Sequence, residues 1–107
     1  MFHDGCAFNY KKIVMKCGYT DLRAGIPSLS SLLSMIYGVN WNDNDTLYFF
    51  CGRTCGKIKG LIHTVDGFVL VNILLETARV KWDRSTSDLR EITPEQLDVL
   101  IRGGQIF

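Results

Sequence analysis

The second half of the chain, from residue 47 to residue 83, consists of short apolar segments separated by tight turns. This pattern constrains the fold more than any other feature, because alternating apolar runs bounded by glycine-containing turns are typical of antiparallel strands. Asp66-Gly67 is the strongest hairpin signal, since glycine accepts the positive φ that such turns demand. The sequence predicts four consecutive strands, at 47–51, 57–64, 68–76 and 79–83, the last of which closes the sheet.

Before this region, the chain carries one short strand and one helix. The segment KKIVMKC (11–17) alternates, which predicts a strand with one wetter face. After a turn at 20–24, apolar residues recur at the spacing of one helical face, and Pro27 suits a first helical position. We expect a helix from 27 to 37 that stops at Gly38.

A second helix is predicted at the C-terminal end, over residues 93–104. Thr93 suits the N-cap, Pro94 follows it, and Gln96 completes a capping box. The predicted fold class is therefore α+β: a small antiparallel β-meander of about four to five strands with two helices packed on it. Packing both helices on one face of the sheet is the simplest arrangement. The apolar face of the second helix consists of Leu97, Leu100 and Ile101.

Length and composition favour one globular domain inside the cell. The 107 residues are 47% hydrophobic and 21% charged, and residues 1–10 are expected to be a loosely ordered start to a single domain spanning 1–107. The longest apolar runs fall far short of the roughly 20 residues that span a membrane. No basic start followed by an apolar stretch indicates export. We expect a cytoplasmic protein with reduced thiols and no membrane partner.

The cysteines do not make a convincing metal site. Cys51 and Cys55 have a zinc-like separation, but a structural zinc ion needs four ligands. The remaining cysteines and histidines do not pair at such a spacing, so we predict no metal and no cofactor. No phosphate-binding glycine motif and no catalytic constellation occurs, so neither an enzyme nor a small-molecule substrate is indicated. The other candidate ligands are His3, Cys6, Cys17 and His63.

The basic residues give a more informative pattern, although 12 Lys and Arg against 11 Asp and Glu leave a net charge of only +1. Lys57 and Lys59 share one face of a predicted strand, and Arg79 and Lys81 share a face of another. With Arg53 in a connecting turn, these five side chains form one stripe if both strands lie on the same side of the sheet. Such a stripe could follow DNA phosphates, or it could be the solvated outer face of an amphipathic sheet.

Four motifs, in this order and spacing, resemble the TnpB accessory proteins of the family-66 insertion sequences. The resemblance runs from about residue 11 to residue 106, and each motif alone is weak. The motifs are TDLRAGI (20–26), CGR and KIKGL within 51–61, DGF (66–68) and TPEQL (93–97).

The resemblance implies a non-catalytic accessory protein of DNA transposition. It implies as partners the element's DNA, its transposase and its other accessory protein, and it implies no cofactor and no catalytic residue. This chain departs from the family's pattern at Thr54, where relatives usually carry a second basic residue. The alternatives are a pure protein-interaction module that scaffolds the transposase without touching DNA, and a small thiol or zinc protein.

The predicted site residues fall into two groups. Those expected to bind DNA or a partner are Arg23, Arg53, Lys57, Lys59, Arg79 and Lys81, and those expected to be structural parts of the family motifs are Asp21, Gly25, Asp66 and Gly67.

Overall fold

The computed structural model describes residues 11–41, 45–76 and 79–106. These residues confirm the predicted α+β class, and none of their helices is long and apolar enough to cross a membrane. The expected loose start at 1–10 lies outside the described residues, and the single-domain organisation stays a prediction. The elements are β1 (Lys12–Tyr19), α1 (Ile26–Tyr37), β2 (Thr46–Cys51), β3 (Lys57–Thr64), β4 (Gly67–Leu74), β5 (Leu89–Ile92) and α2 (Pro94–Ile101).

The five strands form one sheet in the order β4-β3-β2-β1-β5. β2, β3 and β4 are the predicted antiparallel meander. β1 lies beside β2 and runs parallel to it, and β5 pairs antiparallel with the other side of β1. The sheet is therefore mostly antiparallel, with one parallel pair that the sequence did not indicate.

The β3–β4 hairpin has the predicted turn. Thr64 pairs with Gly67 across a loop of Val65 and Asp66, and Gly67 has a φ of 133°, a value that glycine adopts readily. The Asp66 amide donates a hydrogen bond of 3.2 Å to the Thr64 hydroxyl. Asp66 and Gly67 thus lie at the turn of this hairpin.

The predicted closing strand at 79–83 is wrong, because the fifth strand is β5, at 89–92. Val80 and Trp82 alternate inward as expected, but they pack on the face of the sheet and are 4% and 5% exposed. The Trp82 indole N–H donates to the Lys16 carbonyl at 3.0 Å. Burial of every second side chain against a sheet face gives the same alternation as a paired strand, and Trp82 is a core anchor.

The two helices pack on opposite faces of the sheet, so the expectation that both cover one face is wrong. The central strands are apolar on both sides, and each face needs its own cover. One cluster joins α2, Val80 and Trp82 to alternate strand residues, and this side is called the α2 face. The other joins Leu29 and Leu33 of α1 to the intervening strand residues, and this side is called the α1 face. On the α1 face these strand residues are Val14, Tyr48, Phe50 and Leu61.

The prediction that one face of β1 is exposed to solvent is also wrong, because α1 covers that face. Val14 is 6% exposed and Lys16 is 8% exposed. The Lys16 ammonium reaches the Tyr19 carbonyl at 3.2 Å, and burial lowers the pKa of Lys16. The lysine stem crosses apolar surface while its ammonium group finds a backbone acceptor.

The ends of both helices follow the sequence signals. Pro27 lies in the first turn of α1, and Gly38 ends that helix in the left-handed conformation with a φ of 67°. At the start of α2, the Gln96 amide donates to the Thr93 hydroxyl at 3.1 Å, and the Thr93 amide donates to the Gln96 side chain at 2.9 Å. The capping box is confirmed.

Replacing Thr93 with Ala should lower the free energy of unfolding by about 1 kcal/mol, because the Gln96 amide loses its acceptor. Urea denaturation measures the change. Thr93→Ser is the matched control and should retain most of the stability, since the serine hydroxyl can accept the same bond. Equal stability of the Ala variant and the unmutated protein would contradict this role of the cap.

Candidate functional site

A cleft of about 870 Å³ opens on the α1 face, at the end of the sheet where β1 and β2 terminate. Its walls are the loop after β1, the turn between β2 and β3, and the adjoining ends of β3 and β4. Two of the sequence motifs, 20–26 and 51–61, therefore meet at one place. The lining comprises Tyr19, Thr20, Asp21, Leu22, Arg23, Gly52, Arg53, Thr54, Lys57, Ile58, Lys59, Asn72, Ile73 and Leu74.

Backbone bonds and close packing hold the two motifs together. The Thr20 amide donates to the Cys51 carbonyl at 2.9 Å. Leu22 lies so close to Gly52 that a Cβ at that position would come within 3.1 Å of the leucine side chain. The Lys59 ammonium donates to the Ala24 carbonyl at 2.9 Å. Lys59 therefore stabilises the loop before α1, a structural role that strand alternation alone did not indicate.

Asp21 and Arg23 form an ion pair at the rim of the cleft. The guanidinium donates from Nε to Oδ1 at 3.0 Å and from Nη2 to Oδ2 at 2.8 Å. The Arg23 backbone amide also donates to Oδ1, at 3.0 Å. These side-chain and backbone bonds lower the pKa of Asp21 to about 2. The pair orders the loop and neutralises Arg23 locally. Downstream, the Gly25 carbonyl accepts from Leu29 and so begins α1.

Arg53 and Lys57 are the exposed cations of the cleft. Both side chains reach solvent, and neither makes a hydrogen bond or an ion pair with any residue in 11–41, 45–76 or 79–106. Nearby, the Thr20 hydroxyl is buried and has no hydrogen-bond partner within the same ranges. Arg53 and Lys57 thus place two exposed positive charges on one cleft, and such a surface can accept an anionic group.

The structure does not bring Arg79 and Lys81 into this group. The Arg79 guanidinium lies over Gly56, where a Cβ would come within 3.3 Å of Cζ. Lys81 lines a separate cavity of about 440 Å³ together with Asp83. Their segment packs on the α2 face through Val80 and Trp82, whereas Lys57 and Lys59 belong to the α1 face. The condition for a five-residue stripe, two strands on one side of the sheet, is therefore not met.

Three residues that sequence reasoning missed complete the surroundings of the cleft. Asn72 and Leu74 pair with Lys59 and Lys57 across the β3–β4 ladder, so their side chains reach the same face. The Arg84 guanidinium donates to the Tyr19 hydroxyl at 2.7 Å and lies 5.6 Å from its ring centre. Asn72 could have been found as the polar interruption of an apolar strand. Nothing in the sequence indicated that Arg84 lies near the cleft.

Among the described residues, no three His, Cys, Asp or Glu side chains come together in a way that could hold a metal ion. Cys51 is buried in the core, and burial, together with the neighbouring Cys55, raises its pKa. Cys55 is half-buried in the β2–β3 turn with a φ of 60°. The His63 ring packs against Trp41 and Phe68. His3 and Cys6 lie outside the described residues.

Comparison with known protein families shows to which family the chain belongs. The model of the family described as IS66 Orf2-like protein matches residues 11–107. The chain belongs to the IS66 Orf2-like protein family. This confirms the membership that the motifs predicted, and IS66 Orf2-like proteins are accessory proteins of an insertion sequence. Transposition is accordingly the process in which this family takes part.

One curated relative of this IS66 Orf2-like protein carries the name "Uncharacterized protein y4hO" and comes from Sinorhizobium fredii (strain NBRC 101917 / NGR234). The two are 28% identical over 92 residues, which cover 86% of this chain and 79% of the relative. No solved structure matches this chain.

The Asp21–Arg23 pair predicts a carboxyl group that titrates unusually low. Because the folded pKa of about 2 lies below the ordinary value, the pair stabilises the fold above that ordinary value and is lost as the pH falls through about 2. Carbonyl-detected NMR titration measures the Asp21 pKa directly. In Arg23→Gln the pKa of Asp21 should rise towards its ordinary value, although the backbone amide of residue 23 still donates to Oδ1 and keeps the pKa below that value. An unchanged Asp21 pKa in that variant would contradict the ion pair.

Proposed function

We propose that this IS66 Orf2-like protein is a non-catalytic accessory factor of transposition that binds the element's DNA through the basic cleft on the α1 face. It acts in the cytoplasm, with the transposase and the element's other accessory protein as partners. The observation that carries the proposal is the meeting of two of the family motifs, 20–26 and 51–61, at one cleft with two exposed cations, Arg53 and Lys57.

The charges of the cleft fit phosphate contacts. Of the four predicted cations there, Arg23 is paired with Asp21 and Lys59 with a backbone carbonyl. Arg53 and Lys57 can therefore bind phosphates without giving up a side-chain bond to any residue that the structure describes. Phosphate contacts of this kind position a protein on DNA and carry no sequence information by themselves. Two such contacts predict that the logarithm of the association constant falls with the logarithm of the salt concentration with a slope of about −2.

Fluorescence anisotropy with a labelled duplex of the element's terminal sequence tests the proposal at low salt. Arg53→Gln and Lys57→Gln should each weaken binding and reduce the salt slope by about 1. Lys81→Gln is the matched control: it also removes one exposed lysine charge, but on the segment that packs on the α2 face, and it should leave affinity unchanged. Lys59 is a poor choice for this test because its loss also frees the loop before α1.

DNA binding through this cleft is overturned if the unmutated protein does not bind the duplex at low salt. It is also overturned if Lys81→Gln weakens binding as much as Lys57→Gln does.

The second candidate is an interaction module that holds the transposase without DNA contact. Leu74 favours it, because this cleft residue is 68% exposed and apolar. The net charge of +1 favours it as well. Co-purification with the transposase after nuclease treatment is the expected result for this function, and Leu74→Ser should reduce it. Loss of the complex on nuclease treatment would instead indicate that DNA bridges the two proteins.

A further inference from the structure

The two edges of the sheet differ in a way that concerns assembly. The β5 edge is four residues long and contains Arg90 and Glu91, and short charged edges resist pairing with another chain. The β4 edge is eight residues long, GFVLVNIL, and contains no charged side chain. A long apolar edge strand presents unpaired backbone groups that readily pair with a further strand.

The ladder shows which backbone groups of β4 face outward. In an antiparallel pair, alternate residues direct their amide and carbonyl groups toward the neighbour. The Leu75 amide donates to the Gly56 carbonyl at 2.9 Å, so the odd-numbered residues face β3. The even-numbered residues of β4 therefore direct theirs away from the sheet, and no described strand pairs with them. These residues are Phe68, Leu70, Asn72 and Leu74.

We propose that β4 pairs antiparallel with β4 of a second copy of this chain, with the two-fold axis at Val71. This register sets Phe68 opposite Leu74 of the other copy and Leu70 opposite Asn72. Every outward amide and carbonyl of both strands then has a partner, and two five-stranded sheets become one continuous sheet.

The side chains of β4 suit a second copy as the occupant. Because the strand has no charged residue, self-pairing places no like charges opposite one another. Val69, Val71 and Ile73 are packed against the core of the α2 face yet remain half-buried, and self-pairing would bring the matching residues of the other copy beside them. On the α1 face, the exposed Leu74 would gain Phe68 as its neighbour.

The pairing also places the two basic clefts on the same side of the joined sheet. The two-fold axis of an antiparallel pair runs perpendicular to the sheet, so the α1 faces of both copies lie on the same side. Asn72 and Leu74 line each cleft, which therefore sits beside the shared strand pair. A dimer of this kind could contact one DNA with both clefts. That contact rests on the proposed function, whereas the pairing of the two β4 strands does not.

Cysteine cross-linking tests the register in the full chain, without DNA, with Cys6 and Cys55 replaced by Ser. In Val71→Cys, the two introduced thiols face each other across the axis at a Cα separation of about 4.5 Å, within disulfide range. Mild oxidation should then yield a covalent dimer. Val69→Cys is the matched control: its two copies lie roughly 14 Å apart along the strands and should not cross-link. Equal cross-linking of both variants, or none, overturns the proposal.

Light scattering over a concentration series tests the dimer independently, with a mass twice the 12.1 kDa of one chain expected. In Asn72→Pro, the lost amide is an outward one, so the bonds to β3 remain and the dimer should dissociate while the circular dichroism is retained. Asn72→Thr keeps the amide and should stay dimeric. If the protein is a monomer at all concentrations, the proposal is overturned. The same holds if it is monomeric alone and forms a complex only with the transposase. If Asn72→Pro unfolds, the cross-linking result decides.

Discussion

The parallel pairing of β1 with β2 is the constraint on which the rest of the structure depends. Parallel neighbours cannot be joined by a hairpin and need a crossover, which here contains α1. The crossover places α1 on one face of the sheet. The opposite face of the same apolar strands is covered by α2 and by the segment that contains Val80 and Trp82.

The same pairing produces the cleft. Parallel strands end at the same edge of a sheet, and Tyr19 at the end of β1 pairs with Cys51 at the end of β2. The loop before α1 and the turn before β3 therefore emerge side by side, although more than twenty residues separate them in the chain. Lys59 then fixes the loop through the Ala24 carbonyl, while the side chains of Arg53 and Lys57 are exposed and form no ion pair within the described part of the chain.

Features set by neighbouring residues were predictable from the sequence. The capping box at Thr93, the stop at Gly38 and the hairpin at Gly67 each depend on a few adjacent side chains. The partner of β1 was not predictable, because no local pattern specifies which strand lies beside it. The role of Lys59 was not predictable either, because no local pattern shows that its ammonium reaches the Ala24 carbonyl. The segment with Val80 and Trp82 was predicted as a strand because, when a segment packs on the face of a sheet, every second side chain is also buried.

NMR titration of the labelled protein with a duplex of the element's terminal sequence tests whether the cleft binds DNA, because it maps the contact surface without substitutions. We expect amide shift changes in 19–23, 52–54, 57–59 and 72–74, the stretches that line the cleft. The amides of α2, which lies on the opposite face of the sheet, should stay unchanged. Shift changes concentrated in 79–85, or no change at low salt, would contradict DNA binding through the cleft.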